Sequence, residues 1–466
     1  MSSVFAPRPL IPDTAVSDLI PLIAHRRPDC VFAYRKGQPI RAGQFLAQAL
    51  QLAARLSGAP LLNACSDRYH FAVGLAAAAL ARSRSLLPPT HTPEVIRFLR
   101  AADPDTLCLT DAEDCPIDLP QLRYPEATAG SPEHWPPPQI SADQVIADVF
   151  TSGSTGTPVA HRKHWGRLVR CVRIEAERLA LAGEPLPTLV ATVPAQHMYG
   201  LESSVLLAMQ SGAPLSAEHP FFPADICTAL AMTPEPRILV STPIHLRALL
   251  ASAAPIPRLM QVVSATAPLD VKLAQEVEAC LGVPLLEIYG STETGQIASR
   301  RPAHAAAWHL WNDVRLEQRD ERTWATGGHI ETRTPLGDQI ELIDAHHFQL
   351  GARLQDVVNI AGKRNSIAYL NHQLLAIPGV SDGAFFLPEA DDGHGSRVVR
   401  LSAAVVAPGL DAATVLQYLR ERVDAVFLPR PLLMLTALPR TSTGKLPLHA
   451  LRALLAQPDG TTSSFG

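Results

Sequence analysis

Between residues 188 and 295 a short apolar run repeatedly breaks into a turn of small and polar residues. Thr188 to Val193 ends in Pro194-Ala195-Gln196-His197-Met198-Tyr199-Gly200. Arg237 to Thr242 ends at Pro243 before a helical His245-Leu246-Arg247. Leu259 to Ser264 gives way to Ala265-Thr266-Ala267-Pro268, and Pro284 to Tyr289 to Gly290-Ser291-Thr292-Glu293-Thr294-Gly295. Runs of this length, rich in branched residues and closed by turn formers, read as buried strands. A recurring order of strand, polar turn and helix predicts an α/β fold: a parallel sheet with helical crossovers, whose ligands sit in loops at the carboxyl ends of the strands.

Upstream, Val145 to Phe150 empties into Thr151-Ser152-Gly153-Ser154-Thr155-Gly156-Thr157-Pro158. Five hydroxyls, with backbone N–H groups exposed where Gly153 and Gly156 relax φ and ψ, make a concavity suited to a polyanion. Taken alone, the same eight residues also fit a solvated linker. Residues 1 to 140 carry no comparable chemistry. Ala42 to Leu56 has helical periodicity, and Phe71 to Arg82 reads as a buried helix whose alanines allow close packing. His25, His70 and His91 belong to no motif and are read as surface or satisfied core residues.

With 466 residues, 47% of them hydrophobic, the chain can bury a large core and divide into two or more domains. A net charge of −4 offers no general field for nucleic acid or an anionic membrane. Seven cysteines, odd in number and never in C-x-x-C spacing, argue against a disulfide framework and a zinc site, so a cytoplasmic location is expected. The longest apolar run, Phe71 to Ala81, is about half a bilayer span, so no membrane partner is expected. No Walker A, dinucleotide G-x-G-x-x-G or G-x-S-x-G nucleophile elbow occurs.

Downstream, Leu336-Gly337-Asp338 precedes a strand at Gln339 to Ile343. The run Ala352-Arg353-Leu354-Gln355-Asp356-Val357-Val358-Asn359-Ile360-Ala361-Gly362-Lys363-Arg364 follows, and Pro439-Arg440-Thr441-Ser442-Thr443-Gly444-Lys445 presents one lysine on a turn. In order and spacing, TSGSTGTP, YGSTE, LGD, ARLQDVVNIAGKR and PRTSTGK resemble the adenylate-forming superfamily of acyl-CoA synthetases, aryl-acid ligases and peptide-synthetase adenylation domains.

That resemblance implies Rossmann-like α/β subdomains plus a small β-barrel over residues 1–352, and a small mobile C-terminal α/β domain over 353–466 hinged near Gln355. It implies activation of a carboxylic acid by ATP as an acyl-adenylate, with Mg²⁺ as cofactor, and transfer to a thiol. By motif, Thr151, Ser152, Gly153, Ser154, Thr155, Gly156 and Thr157 would cradle the phosphates. Tyr289 and Gly290 would face adenine, with Ser264 and Ala265 at its border. Thr292 would contact the α-phosphate, Glu293 would hold Mg²⁺, and Asp338 and Arg353 would bind ribose. Lys445 would reach the carboxylate and α-phosphate. His197, Met198, Gly200, His245, Thr266 and Gly295 would line the acid pocket.

Three positions depart from the pattern. Val159 stands where the family has a lysine, with Lys163 four residues on as the candidate substitute; Ala352 replaces a glycine, and Gln355 an Asp or Lys. A narrower resemblance, carried by the short N-terminal part, His161-Arg162-Lys163-x-Trp165 and STPIHLRAL, is to ligases of aryl-polyene and xanthomonadin-type pathways, which load an acyl carrier protein. From Arg397 to Arg452 eight basic residues face three acidic ones, a surplus that would suit an acidic carrier. Coenzyme A as the acceptor, in an acyl- or aryl-CoA synthetase, and a non-catalytic nucleotide-binding module are the alternatives.

Overall fold

In the computed structural model, which describes residues 19–125, 135–152, 158–252, 254–320, 322–353, 357–360, 363–388, 400–441 and 444–455, the strand Val145–Ser152 lies one place in from the edge of a six-stranded sheet. The order runs Pro158–His164, Val145–Ser152, Ser85–Leu87, Leu61–Asn63, Leu107–Thr110, Gln121–Arg123. Every neighbouring pair is parallel except the first, an antiparallel hairpin that places Ser152 opposite Pro158 and Thr151 opposite Val159. The organising strand therefore feeds a returning strand; the first helix after it, Trp165–Arg178, starts only beyond that strand. The repeating order of strand, turn and helix also breaks after Leu285–Ser291, which turns into the strand Gly295–Arg300. Elsewhere it holds: Arg237–Ser241 leads to the helix Pro243–Ala251, and Gln261–Ser264 to Val271–Leu281.

The chain forms two compact units. The first comprises Met1–Val240, Ala254–Gln261 and Ser291–Gly295; the second Ser241–Ala253, Val262–Gly290 and Gln296–Gly466. Inside the first, the alanine-rich helix Arg68–Leu80 buries every residue but His70 and Leu80. Asp67 starts it by accepting the Tyr69 and His70 N–H groups. A Cβ at Gly74 would stand 2.5 Å from Leu109 Cδ2 and 2.6 Å from Asn63 Nδ2, so any larger residue would have to push these side chains off the close helix–strand contact. His70 is partly buried and satisfied by Asp111 at 3.1 Å, while His25 is buried in the core, where burial drives its imidazole down to about 4. A second parallel set in this unit has Thr188–Ala191 between Arg237–Ser241 and Leu215–Ser216.

The second unit pairs Gln261–Ser264 with Leu285–Ser291 in parallel and continues through antiparallel strands Gly295–Arg300, Trp308–Leu310, His347–Arg353 and Asp338–Leu342. A small antiparallel sheet, Val314–Arg319, Arg322–Gly327 and Thr334–Pro335, adds to the region where the resemblance implies a barrel. Further on, Asp382–Phe386, Ser402–Val406 and Leu432–Met434 form a sheet covered on both faces. Period-two alternation assigns the faces. Phe385, Ala403 and Val405 join Leu370, Leu374, Val415 and Leu419 of helices Ile367–Leu375 and Ala412–Arg420. Ala384, Phe386, Ala404 and Val406 join Leu438 and Leu451, the latter on helix Leu448–Leu455. Among the described residues no helix is long and apolar enough to cross a membrane, and all seven cysteines are free thiols.

Candidate active site

Gly153, Ser154, Thr155, Gly156, Thr157 and Gln355 lie outside the described residues. In the first unit the hairpin of Val145–Ser152 and Pro158–His164 carries the contacts nearest these positions in sequence. Thr151 Oγ1 lies 2.9 Å from His161 Nε2 on the returning strand, and that nitrogen is 3.6 Å from Glu293 Oε1. Glu293 occupies a turn tied internally: the Ser291 N–H donates to Thr294 Oγ1 at 3.2 Å, the Thr294 N–H to Ser291 Oγ at 3.3 Å, and Gly295 adopts φ +70°. Thr292 is half-buried in the same turn.

Burial alone would push the Glu293 carboxyl up. The Ser291 hydroxyl, the turn's own N–H, and the nearby His161 and Lys163 outweigh it and hold the group below the usual carboxylate range. An ionised, partly exposed carboxylate is a suitable hard donor for Mg²⁺. Among the described residues no three His, Cys, Asp or Glu side chains gather into a metal cluster.

Behind this turn the first unit carries buried charge. Lys163 is 5% exposed with Nζ 3.5 Å from the Glu293 carbonyl oxygen. Glu202, in a π-helical turn over Leu201–Leu206, accepts from Cys171 Sγ at 3.1 Å; burial raises its carboxyl to about 7 against the opposing pull of Cys171 and Lys163. Arg68, 1% exposed, donates to Ala191 O at 2.9 Å, Val193 O at 2.7 Å and Ser204 Oγ at 2.9 Å. It thereby pins the end of the strand that leads into His197, Met198 and Gly200. Gly200 has no alternative, because a Cβ there would collide with the Pro194 carbonyl.

The second unit holds the residues expected to face adenine and ribose. Tyr289 packs between Trp308 and Phe348, at 5.5 and 5.8 Å between ring centroids, and its hydroxyl donates to Asp338 Oδ2 at 2.7 Å. Asp338 pairs across the ladder with Arg353, so the two residues expected at ribose are cross-strand neighbours. Glu287, two residues before Tyr289, is buried and accepts from Arg300 Nε at 2.7 Å and from the Leu269 N–H at 3.0 Å. Arg300 in turn lies 4.5 Å over the Trp308 ring. One carboxylate thus ties the turn after Ser264 to the aromatic wall. In that turn Thr266, a β-branched residue, sits at φ +79°, a conformation that persists only where its surroundings enforce it. The Ser264 hydroxyl is fully buried with no hydrogen-bond partner among the described residues, and Ala265 is buried beside it. His245 Nδ1 is 2.8 Å from Thr242 Oγ1, and burial lowers its imidazole, which keeps the ring neutral.

Lys445 stands exposed on a tight turn, also in the second unit. The Thr441 N–H donates to Lys445 O at 2.8 Å, the Lys445 N–H to Thr441 Oγ1 at 3.1 Å, and Gly444 takes φ +78°. Arg440 clamps this turn to the sheet, donating to both Asp382 carboxylate oxygens at 2.7 and 2.6 Å and to Gly444 O at 2.8 Å.

Sequence reasoning missed Arg68, Glu202, Glu287 and Arg300. A signal existed for Glu287, a charge at an inward place in the strand LLEIY; Arg68 and Glu202 stand among polar residues that gave none.

Residues 24–351 match the family model described as AMP-binding enzyme, and the chain belongs to that family. It is therefore an AMP-forming acid–thiol ligase that uses ATP with Mg²⁺, and its substrates are a carboxylic acid and a thiol. A 4-coumarate–CoA ligase of Halorhodospira halophila is 31% identical over 310 residues, covering 64% of this chain and 73% of the relative. A 3-hydroxybenzoate–CoA/4-hydroxybenzoate–CoA ligase of Thauera aromatica is 24% identical over 68% of each. In fold, the chain is similar to o-succinylbenzoate coenzyme A synthetase of Bacillus subtilis solved with ATP and a magnesium ion, with a TM-score of 0.77 and 18% identity over 93% of this chain and 98% of that one.

Proposed function

We propose that the acid is aromatic and that the thiol is a phosphopantetheine. The observation that carries this reading is the nature of the relatives, whose names specify 4-coumarate, indoleacetate and hydroxybenzoates as acids and coenzyme A as the thiol. In the first half-reaction the substrate carboxylate would attack the α-phosphorus of ATP and expel pyrophosphate. Both reactants are anions, so a compact cation between them orients them and screens the charge that develops at phosphorus; Lys445, exposed on a clamped turn, would serve there. Mg²⁺, when bound, would neutralise phosphate charge, and the ionised Glu293 would hold it. The phosphate loop from Thr151 to Thr157 would supply N–H and hydroxyl donors. Tyr289 would offer its ring face to adenine, and Asp338 with Arg353 would bind the ribose hydroxyls. His197, Met198, Gly200, His245, Thr266 and Gly295 would shape the acid pocket, with the His245 imidazole, lowered by burial, suited to a phenol ring. For the second half-reaction, the division into residues 1–352 and 353–466, with rotation about Gln355, would exchange the adenylating group for the thiol entrance.

Coenzyme A is the acceptor the relatives favour. A carrier protein remains a second reading, favoured by the basic surplus of the C-terminal stretch. Of those basic residues Arg440 is committed to Asp382 and Arg422 rests 5.4 Å from the Tyr418 ring, while Arg400, Arg420 and Arg430 are exposed. A panel of hydroxycinnamates, hydroxybenzoates and fatty acids in acid-dependent ATP–pyrophosphate exchange tests the acid, with exchange expected for the aryl acids. Exchange with fatty acids alone overturns that choice. Offering coenzyme A and an acidic holo-carrier protein in competition then decides the acceptor.

A further inference from the structure

Lys163, the candidate substitute for the loop lysine, is a buried cation. Its strand begins at Pro158, directly after the phosphate loop, and its register opposite Ala147 fixes its height on the hairpin. Lysine is rarely buried to this degree, because desolvating an ammonium is costly unless nearby anions or carbonyl dipoles compensate. Two such groups belong to the same compact unit. The Glu293 carbonyl oxygen is 3.5 Å from Nζ, and the ammonium's charge offsets part of the burial that raises the Glu202 carboxyl. His161, two residues back along the strand, meets the Glu293 carboxylate at 3.6 Å. Val159, where the resemblance leads one to expect a cation, is 48% exposed and apolar.

We infer that Lys163 is a positioning residue: from inside the fold it holds the Glu293 turn by its main chain, balances Glu202 on the helical segment that follows His197, Met198 and Gly200, and so presets the Mg²⁺-binding carboxylate. This rests on the reading of Glu293 as the Mg²⁺ ligand. The competing account is that Lys163 merely serves as counter-ion to a buried glutamate. The two differ in what happens when both charges are removed, since deleting one partner of a buried pair is damaging whereas deleting both can be near neutral.

The experiment compares wild type, Lys163→Met, Glu202→Gln, the double variant and Glu293→Gln. It measures melting temperature and the Mg²⁺ dependence of binding of α,β-methylene-ATP, a nucleotide whose α–β linkage cannot be cleaved to form an acyl-adenylate. Lys163→Met is expected to melt lower and to weaken Mg²⁺-dependent binding by about 10- to 100-fold, the range for groups that orient a metal ligand. The double variant should regain the melting temperature while Mg²⁺ dependence stays impaired. Recovery of both properties in the double variant overturns the inference and leaves Lys163 a counter-ion, as does wild-type Mg²⁺ dependence in Lys163→Met. Should Lys163→Met fail to fold, the double variant alone decides. If Glu293→Gln keeps the wild-type Mg²⁺ dependence, the assignment of the metal ligand falls and the inference falls with it; an impaired Glu293→Gln beside a fully restored double variant removes only the inference.

Discussion

The Glu293 turn and the wall around Tyr289 are four residues apart in sequence and are built on opposite principles. Around Tyr289 charges are closed into pairs: Glu287 with Arg300, Arg300 over Trp308, and the tyrosine hydroxyl on Asp338. Rings and satisfied ions make a rigid face suited to a neutral, planar base. Around Glu293 charge is left on offer. The carboxylate is held ionised and partly exposed, and the unit behind it contains Lys163, Glu202 and Arg68, of which the last bonds only to neutral acceptors. On the proposed roles the difference makes sense: a surface that is to attract and release a metal and a polyphosphate cannot neutralise itself beforehand, whereas one that is to stack on a base can.

The contrast is testable from its most costly element downward. Arg300→Leu strands Glu287 as a buried carboxylate and should cost about 3–5 kcal/mol in denaturant unfolding, with Glu287→Leu/Arg300→Leu recovering most of it. A loss no larger than that of a surface ion pair would mean the wall is not closed by this contact. On the other side, Glu202 keeps its proton to about pH 7 in the folded state against an ordinary 4.5, so its share of stability is intact at low pH and is lost as pH rises through 7. The melting advantage of Glu202→Gln over wild type should therefore grow between about pH 4.5 and 7, on the order of 3 kcal/mol, and level off above. A gap independent of pH would show that Glu202 ionises normally.

Lys445→Ala should slow acid-dependent pyrophosphate exchange on the order of 10²-fold while pre-formed acyl-adenylate is still consumed by thiol. Near-normal exchange would remove Lys445 from adenylation. Smallest is Tyr289→Phe, which keeps the ring and loses one hydrogen bond. About 1 kcal/mol, or roughly five-fold in KM for ATP at unchanged kcat, is expected, and a large fall in kcat would show that the hydroxyl does more than brace Asp338.

Much of the framework was legible because it is written locally. Strands such as Arg237–Ser241, the alanine helix, and the turns carrying His197, Thr266, Glu293 and Lys445 announce themselves by apolar runs and turn formers. The hairpin's return strand was not, because VAHRKH has the polarity of a loop and Lys163 reads as a surface residue until the fold buries it. Nor were the ion pairs Glu287–Arg300 and Asp382–Arg440, whose partners stand 13 and 58 residues apart. Local pattern reports which residues prefer the interior; it is silent on which distant charge will meet them there.

The ladder that sets Asp338 opposite Arg353 turns through residues 343–346, where Asp344 Oδ1 accepts the His346 and His347 N–H groups, each at 2.7 Å. Side chains alternate faces along a strand, so a single-residue insertion or deletion in this distant turn that slips the pairing by one place would send one member of this cross-strand pair to the opposite face, although neither residue had changed. On the proposed role of Asp338 and Arg353 at ribose, the length of the turn would be part of the nucleotide reader, and chains differing only there would part in their preference for ribose over deoxyribose.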